Sequence, residues 1–396
     1  MKVLAVLSDL TCPPREGLHE QTLLLMQALQ DQGVALTLYS FCKDAAVLDI
    51  RELEQGYGLR LAAPPMIRRG PLMVGGLVNR LTPRFLLANE VKALLAEAAG
   101  TGHETVYLEG VLAAGIWRSN IAARTVINFV DPPSRRWMRM AAAASRPLAR
   151  VASIGRAALS LALESLVKHP STRWNVVSPS DADYLRTRHG HSNTSAIPVM
   201  LPTMPDTEVG AADAREPVRC CIIADLRQRH MQDAVEWFFE DVLHPAGIGE
   251  DKISVEVLGR TEPTEQLLAA ADGLPVRFVA WVHDFAAYVR GSDIIVLPDT
   301  VGTGLKNRAI QGLAFGRAVL ATDVAFEGVS VTNGVHALVG NRPAELIEGL
   351  RRLVHEPDLR DRVATAGRSF ALQNYSGAAV ARRWIERLTN PGTVTA

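Results

Sequence analysis

Short apolar runs rich in β-branched residues alternate with longer stretches of helical period along most of the chain, and this alternation restricts its fold more than any other feature. In the first half Val3–Leu7, Ala35–Phe41, Thr105–Leu108, Thr125–Val130 and Asn175–Ser178 read as strands, with helical stretches such as His19–Gln30 between them. The rhythm restarts late in the chain with Arg219–Ala224, Ile253–Leu258, Val276–Val279, Ile294–Leu297 and Ala318–Ala321. Strands separated by helices are joined by crossovers, and crossovers make parallel sheets with helices on their faces, so the expected class is α/β.

A length of 396 residues is too great for one ordinary core and suits two such domains. The segment Ile197–Pro217 carries Pro198, Pro202, Pro205 and Pro217 and little apolar periodicity, so it reads as the linker. The expected layout is a first domain over 1–200, a linker over 201–217, a second domain over 218–374 and a terminal helix over 375–396. Ser134–Lys168 breaks the strand–helix rhythm. It is mostly Ala, Leu, Arg and Met and reads as one or two helices inserted into the first domain.

That insertion carries Arg135, Arg136, Arg139, Arg146, Arg150 and Arg156, and a second basic and apolar stretch, Met66–Leu87, adds Arg68, Arg69, Arg80 and Arg84. Two readings stand side by side: a solvated helical face, or peripheral docking on anionic lipid or a lipid-linked acceptor. Formal net charge is zero, so nothing global draws the chain to nucleic acid. The apolar N-terminus ends at Ser8 and Asp9 before any cleavage signal, and no apolar run approaches the ~20 residues of a spanning helix. The expected location is cytoplasmic, with any membrane contact at the inner face. Cys12, Cys42, Cys220 and Cys221 form no CxxC pair and read as buried thiols. No His, Cys or Asp cluster has metal-ligand spacing, so no metal is expected.

The most informative stretch is Ser292–Gly328, which reads strand, glycine turn, helix, strand. Ile294–Leu297 is the strand, Gly302-Thr303-Gly304 the turn, Leu305–Phe315 the helix and Gly316 its stop. Such a turn offers free backbone N–H groups at the positive end of a helix dipole, where a diphosphate can be held without a metal, although taken alone a glycine turn can equally be only a tight loop. Lys306 and Arg308 add formal charge.

Pro298, Gly302, Gly304, Lys306, Ala314, Gly316, Thr322, Glu327 and Gly328 stand in an order that closely resembles glycosyltransferase family four, the group 1 glycosyl transferases. Asp225–Ala246, Leu258-Gly259-Arg260 and Ala280–Val289 resemble further parts of that family's donor domain, with Ala280 in place of a glycine. Asn128–Trp137 and Val177–Leu185 resemble its acceptor domain. The resemblance implies the GT-B architecture: two facing Rossmann-like domains with parallel sheets and an interdomain cleft, the first binding acceptor and the second donor. It also implies sugar transfer from a nucleotide-sugar co-substrate, with no separate cofactor, onto a glycan, glycolipid or other small acceptor.

Carried over residue by residue, the resemblance assigns donor phosphate to Arg227, Arg229, Lys306 and the Gly302–Gly304 amides, with Leu305 and Glu327 beside them. A family glutamate facing the nucleotide ribose is replaced by Gln311, and another facing the sugar by Thr303. Glutamine still accepts a hydrogen bond but lacks the charge that makes such bonds roughly twice as strong. Altered donor choice and a catalytically silent binding or partner subunit therefore both remain open, as does another nucleotide-sugar enzyme such as an epimerase. A retaining member stabilises the departing diphosphate electrostatically, which gives Arg227 and Lys306 the catalytic work. An inverting one needs a base, for which Asp131 at a strand end is the first choice. Glu109, also at a strand end, is a second acceptor-side candidate, and Gly17 and His19 lie in a loop resembling the family's acceptor loop.

Overall fold

The computed structural model describes residues 1–7, 10–14, 17–42, 48–67, 93, 96, 100–110, 124–143, 147–202, 217–301 and 305–389. They divide into two compact units, one of Met1–Met200 with Gly377–Ala396 and one of Leu201–Ser376. Residues 203–216, within the expected linker, lie outside the described residues.

The first unit is built on β1 (Lys2–Leu7), β2 (Ala35–Cys42), β3 (Met66–Ile67), β4 (Thr105–Glu109), β5 (Arg124–Val130), β6 (Thr172–Val176) and β7 (Thr194–Ala196). They pair in parallel in the order β3-β2-β1-β4-β5-β6-β7. Buried on both faces, the central strands have continuous apolar runs in place of alternation. Val3, Ala5, Tyr107 and Val126 point to one layer, with Leu23, Met26 and Leu29 from helix Gly17–Asp31 and Val380, Trp384 and Leu388 from helix Gly377–Thr389. Leu4, Val6, Val106, Leu108, Ile127 and Trp174 point to the other.

The C-terminal helix is tied down by a buried arginine. Arg387 donates to the Asn193 carbonyl at 2.6 Å, to Asn193 Oδ1 at 2.8 Å and to the Trp174 carbonyl at 3.1 Å. Burial lowers its pKa to about 10, which still leaves it charged at neutral pH.

In the second unit β8 (Val218–Ile223), β9 (Ile253–Leu258), β10 (Val276–Val279), β11 (Ile294–Leu297), β12 (Ala318–Ala321) and β13 (Leu338–Val339) pair in parallel in the order β10-β9-β8-β11-β12-β13. Cys220, Ile222, Val255, Val257, Ile294 and Val296 meet Phe238, Phe239, Leu350 and Leu353 in its core. All four cysteines are buried and free.

Four strands of this unit start and stop where the sequence places them. The other expected strands differ by at most one residue at each end, except one in the first unit: the expected Asn175–Ser178 is Thr172–Val176. Ser178 belongs to the next element, because its hydroxyl accepts from the Asp181 amide at 3.2 Å and caps helix Pro179–His189. The helix expected over Leu305–Phe315 spans Asn307–Ala314, flanked by Lys306 and Phe315 as caps, and Gly316 follows with φ 68°. Strands β3, β7 and β13 went unread, since two or three residues carry no period. The arginine-rich stretch forms two helices, Pro133–Ala143 and Pro147–Leu166, with 144–146 outside the described residues.

Candidate functional site

Each sheet reverses its strand order once, between β1 and β4 in the first unit and between β8 and β11 in the second. At such a reversal the loops leave in opposite directions and open a crevice at the carboxyl ends of the strands. In the second unit that edge is made by Ala224-Asp225 after β8 and Pro298-Asp299 after β11.

Four basic side chains are carried there or on the helices that follow, and each has a partner. Arg227 donates to Asp225 through Nε at 2.8 Å and a terminal nitrogen at 2.6 Å. The Arg227 hydrogen bonds hold the Asp225 carboxyl down to about 2. Arg229, at the start of helix Arg229–Phe238, pairs with Asp233 at 2.8 Å and donates to Gln266 at 3.1 Å. Lys306 Nζ donates to the Val324 carbonyl at 2.6 Å, tying the entry of helix Asn307–Ala314 to the turn after β12. Arg308 donates to Asp299 Oδ1. Asp299 is 1% exposed, its carbonyl accepts from Thr322 Oγ1 at 2.5 Å, and its Oδ2 is buried without a hydrogen-bond partner.

Leu305 and Gln311 are half-buried on either side of the Lys306 cap. Glu327 is half-buried where the turn Val324–Phe326 closes, ahead of Gly328 with φ 82°. Gly302, Thr303 and Gly304, to which the donor phosphate and sugar were assigned, lie outside the described residues. So Arg227 and Lys306 lie in the segments that follow the two strands at the reversal, whereas Arg229 is engaged by Asp233 on its own helix and by Gln266 on helix Glu265–Ala270.

In the first unit the equivalent edge holds a buried polar group. Thr11 Oγ1 and His19 Nδ1 lie 2.8 Å apart, and the Thr22 hydroxyl donates to Glu109 Oε1. Glu109, His19, Thr11 and Thr22 are all buried, and Gly17 opens the helix that carries His19 and Thr22. Helix Gly17–Asp31 thus fastens the ends of β1 and β4 through side chains one turn apart. Asp131 follows β5 directly. Although it reaches solvent, partial desolvation by the surrounding chain raises its carboxyl pKa, with Asp181 adding to the rise and Arg136, Arg139 and Arg135 opposing it.

Two residues that sequence reasoning did not single out as strained mark these edges. Val130, immediately before Asp131, has φ 64°, and Arg260, just past β9, has φ 62°. A β-branched residue in the left-handed region is a genuine outlier, and such strain gathers at ligand-binding edges. Sequence carries no signal for it, because nothing marks a valine as left-handed until the strand ends around it are placed. Among the described residues no three His, Cys, Asp or Glu side chains gather as metal ligands, and no helix is long and apolar enough to cross a membrane.

Two parallel sheets with Rossmann strand order, each covered by helices, are the GT-B fold of glycosyltransferases. Residues 218–356 match the family described as glycosyl transferases group 1, which takes in the whole second sheet. The fold is that of sucrose-phosphate synthase from Thermosynechococcus elongatus, with a TM-score of 0.66 at 17% identity over 98% of both chains. It is also that of Anabaena Alr3699/HepE, solved in complex with UDP, at 0.65 and 12% over 98% of this chain and 100% of that one. WaaG, a glycosyltransferase involved in lipopolysaccharide biosynthesis, gives 0.61 and 12% over 98% and 100%. No curated protein sequence matches the chain.

Proposed function

We propose that the chain is a glycosyltransferase that moves a hexosyl-type sugar from a nucleotide-sugar donor onto a glycan, glycolipid or other small acceptor. The observation that supports this reading is that Arg227, Lys306 and Arg308 all follow the two strands at the strand-order reversal of a unit that matches the group 1 family. Negative diphosphate charge grows as the sugar leaves, and fixed cations aimed at it stabilise that charge more than they stabilise the intact donor. HepE has been solved with UDP and with UDP-glucose, which makes uridine donors the first to try.

On this reading transfer proceeds with retention and without a metal. The departing phosphate oxygen takes the acceptor's proton, and Lys306 and Arg227 hold the diphosphate. The first unit binds the acceptor near Glu109, His19 and Asp131. The enzyme works at the cytoplasmic side, in peripheral contact with the inner face of a membrane.

The test is thermal shift against a panel of nucleotides and nucleotide sugars, since a ligand at 100 times its Kd stabilises by about 2.7 kcal/mol. Stabilisation by one nucleotide class, lost in Arg227→Ala and Lys306→Ala, is the expected result. Sugar transfer from that donor should then fall about 100- to 1,000-fold in either variant. Binding with no turnover on any acceptor would instead favour a silent subunit.

A further inference from the structure

The helical hairpin of Pro133–Ala143 and Pro147–Leu166 has its polarity inverted. The buried residues of the longer helix are Ser153, Ala157, Ser160 and Glu164, small or polar at a spacing of three to four. The large apolar residues of its first half face out: Leu148 is 86% exposed, Val151 67% and Ile154 54%, whereas Leu159, Leu161 and Leu163 further along are half-buried. Met138 and Met140 on the shorter helix are exposed as well. A helix of a water-soluble protein turns its apolar stripe inward, so this arrangement costs hydration free energy unless something apolar covers the stripe.

The inversion is built in rather than incidental. Glu164 accepts from the Ser134 amide at 2.8 Å and the Ser134 hydroxyl at 2.7 Å, and lies 2.8 Å from His189 Nε2. That buried polar cluster fixes the rotation of the long helix about its axis and so aims Leu148, Val151 and Ile154 at solvent. Charge is just as one-sided. Over Pro133–Leu166 the sequence has six arginines, Arg135, Arg136, Arg139, Arg146, Arg150 and Arg156, against one carboxylate, and that carboxylate is the buried Glu164. Arg136 and Arg150 are exposed, and Arg156 sits over the Trp137 ring at 4.6 Å.

We infer that this hairpin is a docking face for an anionic lipid bilayer, with Leu148, Val151 and Ile154 entering the headgroup boundary and Arg136 and Arg150 at the phosphates. Exposed apolar side chains on two helices rich in arginine, with no exposed carboxylate on either helix, are what such a surface selects. A second copy of the chain fits poorly, since a twofold contact sets the same arginines against each other. The inference rests on the transfer reading only in naming a lipid-side acceptor, and it makes the first unit the one held at the membrane.

The full chain is sedimented with vesicles of phosphatidylcholine alone and of phosphatidylcholine with phosphatidylglycerol, alongside the variants L148E/V151E and R136A/R150A. Both pairs of sites are exposed, so folding is not at stake, and UDP or UDP-sugar binding measured in solution serves as the independent readout. The expected result is binding to anionic vesicles only, abolished in L148E/V151E, and reduced about five-fold for each arginine removed. Equal partition to both vesicle types, or anionic binding that L148E/V151E leaves intact, would overturn it. So would a concentration-dependent dimer that L148E/V151E dissolves, which gives the face to a second copy. Nucleotide binding without vesicle binding overturns the docking face alone, and vesicle binding without nucleotide binding overturns the transfer reading alone.

Discussion

Asp225 takes both hydrogen bonds of the Arg227 fork, at 2.8 and 2.6 Å, two residues away along the same loop. The guanidinium proposed to meet the donor diphosphate is thus already engaged by a carboxylate of its own strand end. Donor phosphate must compete with Asp225 or share Arg227 with it, and the carboxylate also repels the incoming charge. Replacing it by the isosteric amide, Asp225→Asn, removes the competitor and keeps the loop's shape. The nucleotide Kd should fall by up to about five-fold, the scale of one exposed ion pair. Calorimetry with the nucleotide reads this directly, and weaker binding would mean that Asp225 orients Arg227 for the ligand instead of withholding it.

The same pair has a pH signature. An unfolded aspartate titrates near ~3.9, whereas Asp225 in the folded chain is held at about 2 by Arg227. A depressed carboxyl pKa contributes stability that is fully present above the unfolded value and is lost as pH falls through the folded one. The difference in melting temperature between the wild-type chain and Asp225→Asn should therefore stay constant from pH 8 to about 5. It should close as pH drops toward 2, and a gap that changes between pH 8 and 6 would assign it to another group.

Gln311 stands half-buried on the helix entered through Lys306, where the family resemblance places a glutamate toward the ribose. A carboxylate accepts a hydroxyl hydrogen bond roughly twice as strongly as an amide oxygen. Gln311→Glu should tighten nucleoside diphosphate binding several-fold while leaving inorganic diphosphate binding unchanged. Titrating the two ligands separately makes the comparison, and equal effects on both would place residue 311 near phosphate, away from ribose.

The parts of the fold legible in the sequence are those whose signal is local. Ile253–Leu258, Val276–Val279, Ile294–Leu297 and Ala318–Ala321 are fully apolar or β-branched runs bounded by turn residues, and a central parallel strand needs no more. The end of β6 was misread because Val177 continues the apolar run while Ser178 has already left the sheet to cap a helix, a choice made by the Asp181 amide. At the candidate site, the family resemblance singles out Arg227, and charge beside the glycine turn singles out Lys306. The partners carry no such signal: Asp299 meets Arg308 and Lys306 meets the Val324 carbonyl only once β11, β12 and the helix between them are packed. The inverted hairpin shows the same limit. Composition gave its basic and apolar character, but which residues face inward is decided by Ser134 and His189 closing on Glu164.

Arg387 offers a test of how the terminal helix holds the first unit together. Its guanidinium is buried and serves the carbonyls of Trp174 and Asn193, groups that belong to β6 and to the turn before β7. Arg387→Met keeps the length and apolar stem but removes every donor, leaving carbonyls in a dry place without their partner. An unsatisfied buried acceptor costs about 1–3 kcal/mol, partly offset because the charge itself is no longer buried. A net loss of roughly 2–4 kcal/mol in urea unfolding is expected. The loss should fall on the transition that reports the first unit, read from Trp174 and Trp384 fluorescence, and leave nucleotide binding by the second unit intact. A variant as stable as the parent would show that water reaches those carbonyls, so that Trp384 and Leu388 packing alone holds the helix.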